Sequence, residues 1–267
     1  MKIGIGNQLA NSNKIIRMKK IYKYYPGNKN SFTALQDKCF WFSKPPYLND
    51  PFDCSMEAFN YCTSSFTDDG KNLILENTKN FGICCFSKNN NNLHLWALYA
   101  NSHKGFCLAF DQNKIESFCS ERYMASCELS NCDYRDTPID LNQPILMNET
   151  HDGRKYSPIK RILSDPKATD ELFMKLLLQK NARIWKNEEE MRIILSGRAL
   201  RKVRKEDSFP SGYKIQFPED ALLEVILGNK TSIIDEEEIE AINSNFYNGA
   251  LIIKKAKLNH QTWSLKI

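Results

Sequence analysis

The sequence predicts a single α+β domain in which mixed or antiparallel sheets carry flanking helices. Three observations lead there. The 267 residues, 42% hydrophobic and 26% charged, can bury one sizeable core. Short aromatic and β-branched runs are interspersed irregularly with segments of helical period. No repeat, low-complexity linker or break in the pattern divides residues 19–267, whereas residues 1–18 are polar and aperiodic and read as a flexible N-terminal segment.

Taken in order, IYKYY (21–25) reads as a strand closed by the turn pair Pro26-Gly27. Ser31 is placed to N-cap a short helix, FTALQDK, and CFWFS (39–43) forms a second aromatic strand stopped by Lys44-Pro45-Pro46. NDPFD (49–53) is rich in turn formers. GICCFS (82–87) is a buried strand, and the asparagine run 89–92 leads into a helix with Leu93, Trp96, Ala97 and Ala100 at helical spacing. GFCLAF (105–110) is the next strand. Residues 111–165 carry little pattern, apart from Tyr134 near a strand.

DELFMKLLLQKNARIW (170–185) has the signature of one long helix, acidic at its start and basic at its end. EEEMRIILSG (188–197), YKIQF and ALLEVILG follow as strands, and the stretch SGRALRKVRKEDSFPSG between them reads as a loop. Asp235 with Glu238 at the capping-box offset starts a helix over DEEEIEAINSNF. ALIIKKAKL and TWSLKI close the chain as two strands able to pair as a hairpin.

Charge and cysteine content exclude several classes. A net charge of +5 is mild, and its one cluster (Arg198, Arg201, Lys202, Arg204, Lys205) reads as a solvated basic loop or a phosphate contact. The nine cysteines include no CxxC pair, and only Cys127 and Cys132 approach metal-ligand spacing, so reduced, buried thiols are expected. No run nears the ~18 apolar residues of a membrane span. Without a continuous apolar leader, a cytoplasmic protein is expected. GxGxxG, GxxxxGK[ST], HExxH and GxSxG are all absent, which argues against a Rossmann dehydrogenase, a P-loop NTPase, a zincin and an α/β-hydrolase.

Three constellations carry chemistry. Along the strand after Trp185, alternation puts Glu188, Glu190 and Arg192 on one face about 7 Å apart, and Glu189, Met191, Ile193 and Leu195 on the other. Such a row suits a cationic transition state and an anionic anchor, or forms a surface ion-pair ladder. On the helix from Leu93, Trp96, Tyr99 and His103 fall within roughly 60° of one another. They suit stacking on a base or a nicotinamide with a proton carrier beside it, or simply a core face. In FSKPPYLNDPFD, Ser43, Asn49, Asp50 and Asp53 suit a ribose or a hard cation, or form Asx-turns.

IYKYY, FWFSKPPYLNDPFDC, CFS with LWALYANSHKGFCLAF, and WKNEEEMR together resemble a broad bacterial and phage family of unknown function. That family carries a Y-K-Y start and FS-x-P…NDPFD, LW-x-x-YA-x-x-H-x-G and W-x-x-E-x-E-x-R blocks. The order of aromatic strand, helix, strand ending in Ser, and late Glu-x-Glu strand more distantly resembles the ADP-ribosyltransferase layout. No Arg or His stands in the first strand here. The likeness implies an ADP-ribosyltransferase-like fold and NAD as substrate, with no metal. It implies Tyr22 or Lys23 touching NAD, Ser43 supporting the nicotinamide ribose, Glu190 as the late glutamate and Glu188 orienting the acceptor. Arg192 would then bind the pyrophosphate, and Trp96 or Tyr99 would stack the nicotinamide.

The expectation is a nucleotide-acting enzyme, an NAD-consuming ADP-ribosyltransferase or NAD glycohydrolase. The family company implies a defence or toxin-type role. The acceptor (protein, nucleic acid, small molecule or water) and the oligomeric state are left open. Two alternatives stand beside it. One is a metal-dependent nuclease with Asp50, Asp53, Glu188 and Glu190 as ligands. The other is a non-enzymatic sensor or partner-binding protein. Glu190→Gln is expected to leave stability nearly intact while removing toxicity.

Overall fold

A computed structural model of the chain describes residues 19–54, 72, 76–123, 127–139, 150–151, 154–155 and 165–267. The flexible-segment expectation for residues 1–18 lies outside them. The aromatic runs stand where the pattern placed them, as β1 (Lys20–Tyr25), β2 (Cys39–Ser43), β3 (Gly82–Ser87) and β4 (Phe106–Asp111). α1 (Lys29–Gln36) connects β1 to β2, and α2 (Leu93–Leu98) connects β3 to β4. The poorly patterned stretch supplies α3 (Gln112–Tyr123), β5 (Cys127–Asn131), β6 (Asp133–Arg135) and the two-residue strands β7 (Thr150–His151) and β8 (Arg154–Lys155). Then come α4 (Pro166–Leu178), β9 (Gln179–Asn181), α5 (Ala182–Trp185), β10 (Glu190–Leu195) and α6 (Gly197–Leu200). The chain finishes with β11 (Ser208–Phe209), β12 (Gly212–Gln216), β13 (Leu222–Leu227), α7 (Ile233–Tyr247), β14 (Ile252–Lys255), β15 (Lys257–Asn259) and β16 (Ser264–Lys266).

Local chemistry moves several boundaries. Asn28, not Ser31, caps α1, its side chain accepting from the Ser31 amide at 3.0 Å. Ser232, not Asp235, caps α7, and Asp235 becomes the reciprocal partner, accepting from the Ser232 hydroxyl at 2.8 Å. The long helix expected over 170–185 stops at Leu178 and restarts as α5 only after the extended residues of β9. Asn181 caps that restart, accepting from the Arg183 amide at 2.9 Å. α2 is also shorter than its period suggested, because Asn101, Ser102 and His103 all take left-handed φ. Its inward side carries Leu95 and Trp96, with Ala100 just beyond, while Leu93 and Ala97 face out.

β1 pairs along its whole length with β4, which continues through β13 to a parallel β14. β3 pairs fully with β10, and β10 with β5. β2 pairs fully with β12. These groups join at single points, Tyr22 opposite Ser87 between β1 and β3, and Ser43 opposite Ile83 between β2 and β3. The sheet is therefore continuous in strand order but splayed along the edge of β3 that β10 leaves free, where β1 and β2 each touch it at one point.

The main core fills one side with aromatic side chains. Phe40 lies 5.2 Å from Phe86, 5.0 Å from Phe110 and 4.8 Å from Phe217, centroid to centroid. β10 is buried on both faces. Met191, Ile193 and Leu195 enter the aromatic core, whereas Ile194 packs against Phe173, Leu176 and Leu177 of α4. Gly105 enters β4 against the end of β1, where a Cβ would lie 2.0 Å from the Tyr25 carbonyl oxygen. Gly105→Ala is expected to force these backbones apart at a cost of about 1–3 kcal/mol, measurable by urea unfolding.

Candidate functional site

The splay between β1 and β3 opens a cavity of about 120 Å³. Tyr22, Lys23 and Tyr24 of β1 form one wall, and Cys85, Phe86 and Ser87 of β3 the other. Leu48, Asn49 and Asp53 reach in from the turn after β2, and Leu95 and Tyr99 from the α2 end. Lys180, Glu188, Glu190 and Arg192 form the floor.

The floor is a buried ionic network. Arg192 is fully buried, and each of its five N–H bonds is spoken for. Nε donates to Glu190 Oε1 at 2.8 Å, and Nη1 donates to Asp53 Oδ1 at 2.9 Å and to the Leu177 carbonyl at 2.7 Å. Nη2 donates to Asp53 Oδ2 and, at 3.4 Å, to Glu190 Oε2. Lys180 Nζ donates to Glu188 Oε2 at 2.6 Å and to Glu190 Oε2. Three carboxylates thus face two cations.

A second chain of hydrogen bonds joins the network at Glu188. Asn49 Nδ2 donates to the Tyr99 hydroxyl at 2.9 Å, and that hydroxyl donates to Glu188 Oε1 at 3.0 Å. Ser87 Oγ holds the Glu188 carbonyl at 2.7 Å. The Glu190 amide donates to the Tyr134 hydroxyl at 2.8 Å. β6 runs parallel to β9 with Tyr134 opposite Lys180, so this small ladder delivers both groups to the floor.

Ionisation follows the geometry. Burial raises the Glu190 pKa, but Arg192 and Lys180 beside it pull harder and hold it down at about 2. Burial lowers that of Lys180, and Glu190 and Glu188 more than reverse this, leaving it above the ordinary lysine value. Burial and the neighbouring Glu188 push the Tyr99 phenol up. Both shifts favour the charged forms of Glu190 and Lys180.

Residues 95–193 match the model of a family described as protein of unknown function (DUF2971). That span begins inside α2 and ends inside β10, so it holds Tyr99, Lys180, Glu188, Glu190 and Arg192 and leaves out β1. The likeness is to an uncharacterised family. Searches of curated proteins and of solved structures return no match.

Of the residues singled out from the sequence, Tyr22, Lys23, Asn49, Asp53, Tyr99, Glu188, Glu190 and Arg192 meet at the cavity. Alternation in two-residue steps put Glu190 and Arg192 on one face, although Glu188 lies in the turn before β10 and Glu189 takes a left-handed φ of 45°. Arg192 cannot take the pyrophosphate role that the resemblance implies, because Asp53, Glu190 and Leu177 use all its donors. Trp96 does not stack on a ligand. It is fully buried, its Nε1 donates to the Asn90 carbonyl at 2.8 Å, and its ring meets Tyr24 edge-on.

His103 lies with its ring parallel to that of Trp96 at 6.2 Å, and it does not line the cavity. Burial and the neighbouring Lys230 lower its pKa. Ser43 is placed at the other splay, opposite Ile83, and also stays outside the cavity. Asp50 folds back to accept from the Phe52 amide at 2.9 Å, the Asx-turn its position before proline suggested.

Lys180, Ser87, Tyr24 and Cys85 are cavity residues that sequence reasoning passed over. Lys180 had one usable signal, a charge inside LLLQKNARIW just where the helical pattern loses its apolar partner. The basic cluster at 198–205 does not line the cavity. Within it, Arg204 pairs with Asp207 at 2.7 Å, and Lys202 donates to the Arg122 carbonyl at 3.0 Å. Among the described residues, no group of three or more His, Cys, Asp or Glu side chains is arranged to hold a metal ion. The described cysteines are free thiols, and Cys62 lies outside them. No described helix is long and apolar enough to cross a membrane.

Proposed function

We propose that the cavity binds NAD by its nicotinamide end and breaks the bond between the nicotinamide nitrogen and ribose C1′, as an ADP-ribosyltransferase or NAD glycohydrolase would. The observation that carries this reading is a cavity floor on which two neighbouring carboxylates, Glu188 and Glu190, are held by one buried ammonium. Breaking an N-glycosidic bond builds an oxocarbenium-like cation, as glycoside hydrolysis does. Most such bonds also require a general acid to protonate the leaving group. Nicotinamide is different. Its ring nitrogen is already cationic in NAD, so the bonding pair returns to it and the ring leaves neutral, with no proton delivered. A site with Glu190 held at about 2 suits that reaction and suits proton shuttling badly.

Glu190 and Glu188 would supply the stabilisation. The two are held by one ammonium; each Glu188 oxygen accepts one hydrogen bond, from Tyr99 or from Lys180, and keeps a lone pair for the cation, while Glu190 Oε2 already accepts from both Lys180 and Arg192. The Lys180 ammonium fixes their positions before the reaction begins, so little reorganisation is needed as the cation develops. Arg192 and Lys180 act as positioning residues here. A volume of about 120 Å³ suits a single six-membered ring, which Tyr24, Phe86 and Leu95 would flank, with the rest of the dinucleotide outside. Tyr22 and Lys23 stand where the ribose and first phosphate would leave the cavity. Lys23 suits that place because it donates to the Cys85 carbonyl at 3.1 Å and has ammonium donors to spare.

The metal-dependent nuclease fits less well. Ligand carboxylates must converge on a common point, and between Asp53, Glu188 and Glu190 that space is filled by the Lys180 ammonium and the Arg192 guanidinium. The deciding experiment incubates the protein with NAD, with and without EDTA, and follows nicotinamide by chromatography. Release is expected in both arms, and Glu188→Gln, checked by circular dichroism to be folded, should slow it at least ~100-fold. A cell lysate with adenylate-labelled NAD would reveal the acceptor. No release from the folded wild type in either arm, with divalent-dependent cleavage of nucleic acid in its place, would transfer the site to the nuclease reading.

A further inference from the structure

The geometry points to a second surface, a docking site for single-stranded nucleic acid on the β15–β16 hairpin. This surface does not depend on what the cavity does. Trp263 at the hairpin turn is 87% exposed, far beyond what a tryptophan ordinarily tolerates. The turn that carries it is braced on both sides: the Gln261 amide donates to Asn259 Oδ1 at 3.1 Å, and the Thr262 and Ser264 hydroxyls lie 2.8 Å apart. Beneath it is a groove of about 340 Å³ lined by Leu258, His260 and, from the start of α2, Leu93.

The C-terminal segment that forms the hairpin carries charge of one sign. Residues 252–267 contain four lysines and one histidine and no aspartate or glutamate. Lys254 and Lys255 are answered by Glu224 and Glu236. Lys257 and Lys266 are not. They stand directly opposite each other on the paired strands, and among the described residues neither has a carboxylate partner. Facing like charges across a ladder is unfavourable, and a polyanion crossing the hairpin removes that cost. Lys257 is one two-residue step from Asn259, which lines the groove, on the same face of the strand.

An exposed indole, an apolar groove and an unanswered lysine pair match a polynucleotide strand, whose bases stack on aromatic faces and whose phosphates seek cations. A duplex keeps its bases stacked inside, so the surface selects single strands. Leu93 of the groove and Leu95 of the cavity are two residues apart on α2, so a bound strand passes close to the site described above.

Fluorescein-labelled dT15 and U15, titrated with the full chain and read by anisotropy, test this. Binding is expected for at least one of them and only weakly for a duplex of equal length. Trp263→Asn, which suits the left-handed backbone at this position, should weaken it at least ~10-fold, and Trp263→Phe should retain it. The double variant Lys257→Gln/Lys266→Gln should reduce the slope of log affinity against log salt by about 1.4. Failure of both oligonucleotides to bind would overturn the assignment. So would binding indifferent to Trp263→Asn, or self-association of the chain that Trp263→Asn abolishes while no oligonucleotide binds, which would make the groove a contact between copies.

Discussion

Arg192→Lys is expected to destabilise the protein by about 3–5 kcal/mol, although the substitution keeps the charge. The guanidinium spans Asp53, Glu190 and the Leu177 carbonyl simultaneously, and lysine has neither the fork nor the number of donors to do so. It would leave a buried carboxylate or carbonyl without its donor. Against a typical total of about 5–15 kcal/mol, this is enough to bring the variant close to unfolding at ambient temperature. Urea titration of wild type and variant measures it. A difference under about 1 kcal/mol would mean that the network relaxes around lysine and that Arg192 is not its keystone. Loss of activity in this variant would say nothing about catalysis, because Arg192 holds Glu190 and the Asp53 turn in place.

The second large effect belongs to Glu190 and depends on pH. Its pKa in the folded protein is about 2, below the ordinary value of 4.5, because Arg192 and Lys180 outweigh the cost of burial. The stabilisation that this represents is complete above about pH 4.5 and is lost progressively as the pH falls toward 2. Its size is about 3 kcal/mol. Glu190→Gln cannot titrate, so the stability gap between wild type and variant should shrink by about that amount on going from pH 5 to pH 2, as followed by urea unfolding at each pH. A gap that stays flat would mean that the carboxylate is not held low. The same geometry corrects the expectation that Glu190→Gln would be structurally silent. With both oxygens receiving donors from buried cations, an amide presents its NH₂ to a lysine or an arginine, and the variant loses stability at neutral pH as well.

Some of this site was legible from sequence, and the reason is geometric. A strand repeats every two residues, so placing Glu190 and Arg192 on one face needed only the assumption that the segment is extended. Tyr22 and Lys23 followed from an aromatic strand with a clear turn after it. Lys180 was hidden because helix periodicity over 170–185 is real on both sides of a three-residue interruption, and the pairing of β9 with β6, from 46 positions earlier, overrides it. His103 does lie with its ring parallel to Trp96, but not through the helical face expected, because α2 ends at Leu98 and residues 101–103 take left-handed φ; helical spacing also says nothing about which neighbour a face will meet. The face met the sheet and the C-terminal hairpin, where Trp96 joins Cys107, Ile226 and Leu265.

The splay between β1 and β3 has a further consequence. β1 is fully hydrogen-bonded to β4 on one side and β3 fully to β10 on one side, yet between them only Tyr22 and Ser87 meet. The protein therefore contains two strand edges that face each other internally, the situation that sheet proteins ordinarily avoid at their rims. Lys23 reaching across to the Cys85 carbonyl shows a side chain substituting for a missing rung. Main-chain valence along such an inner edge is a property of topology, so no single substitution can erase it. Whatever enters the cavity meets a backbone already prepared to accept another strand's worth of polar contacts.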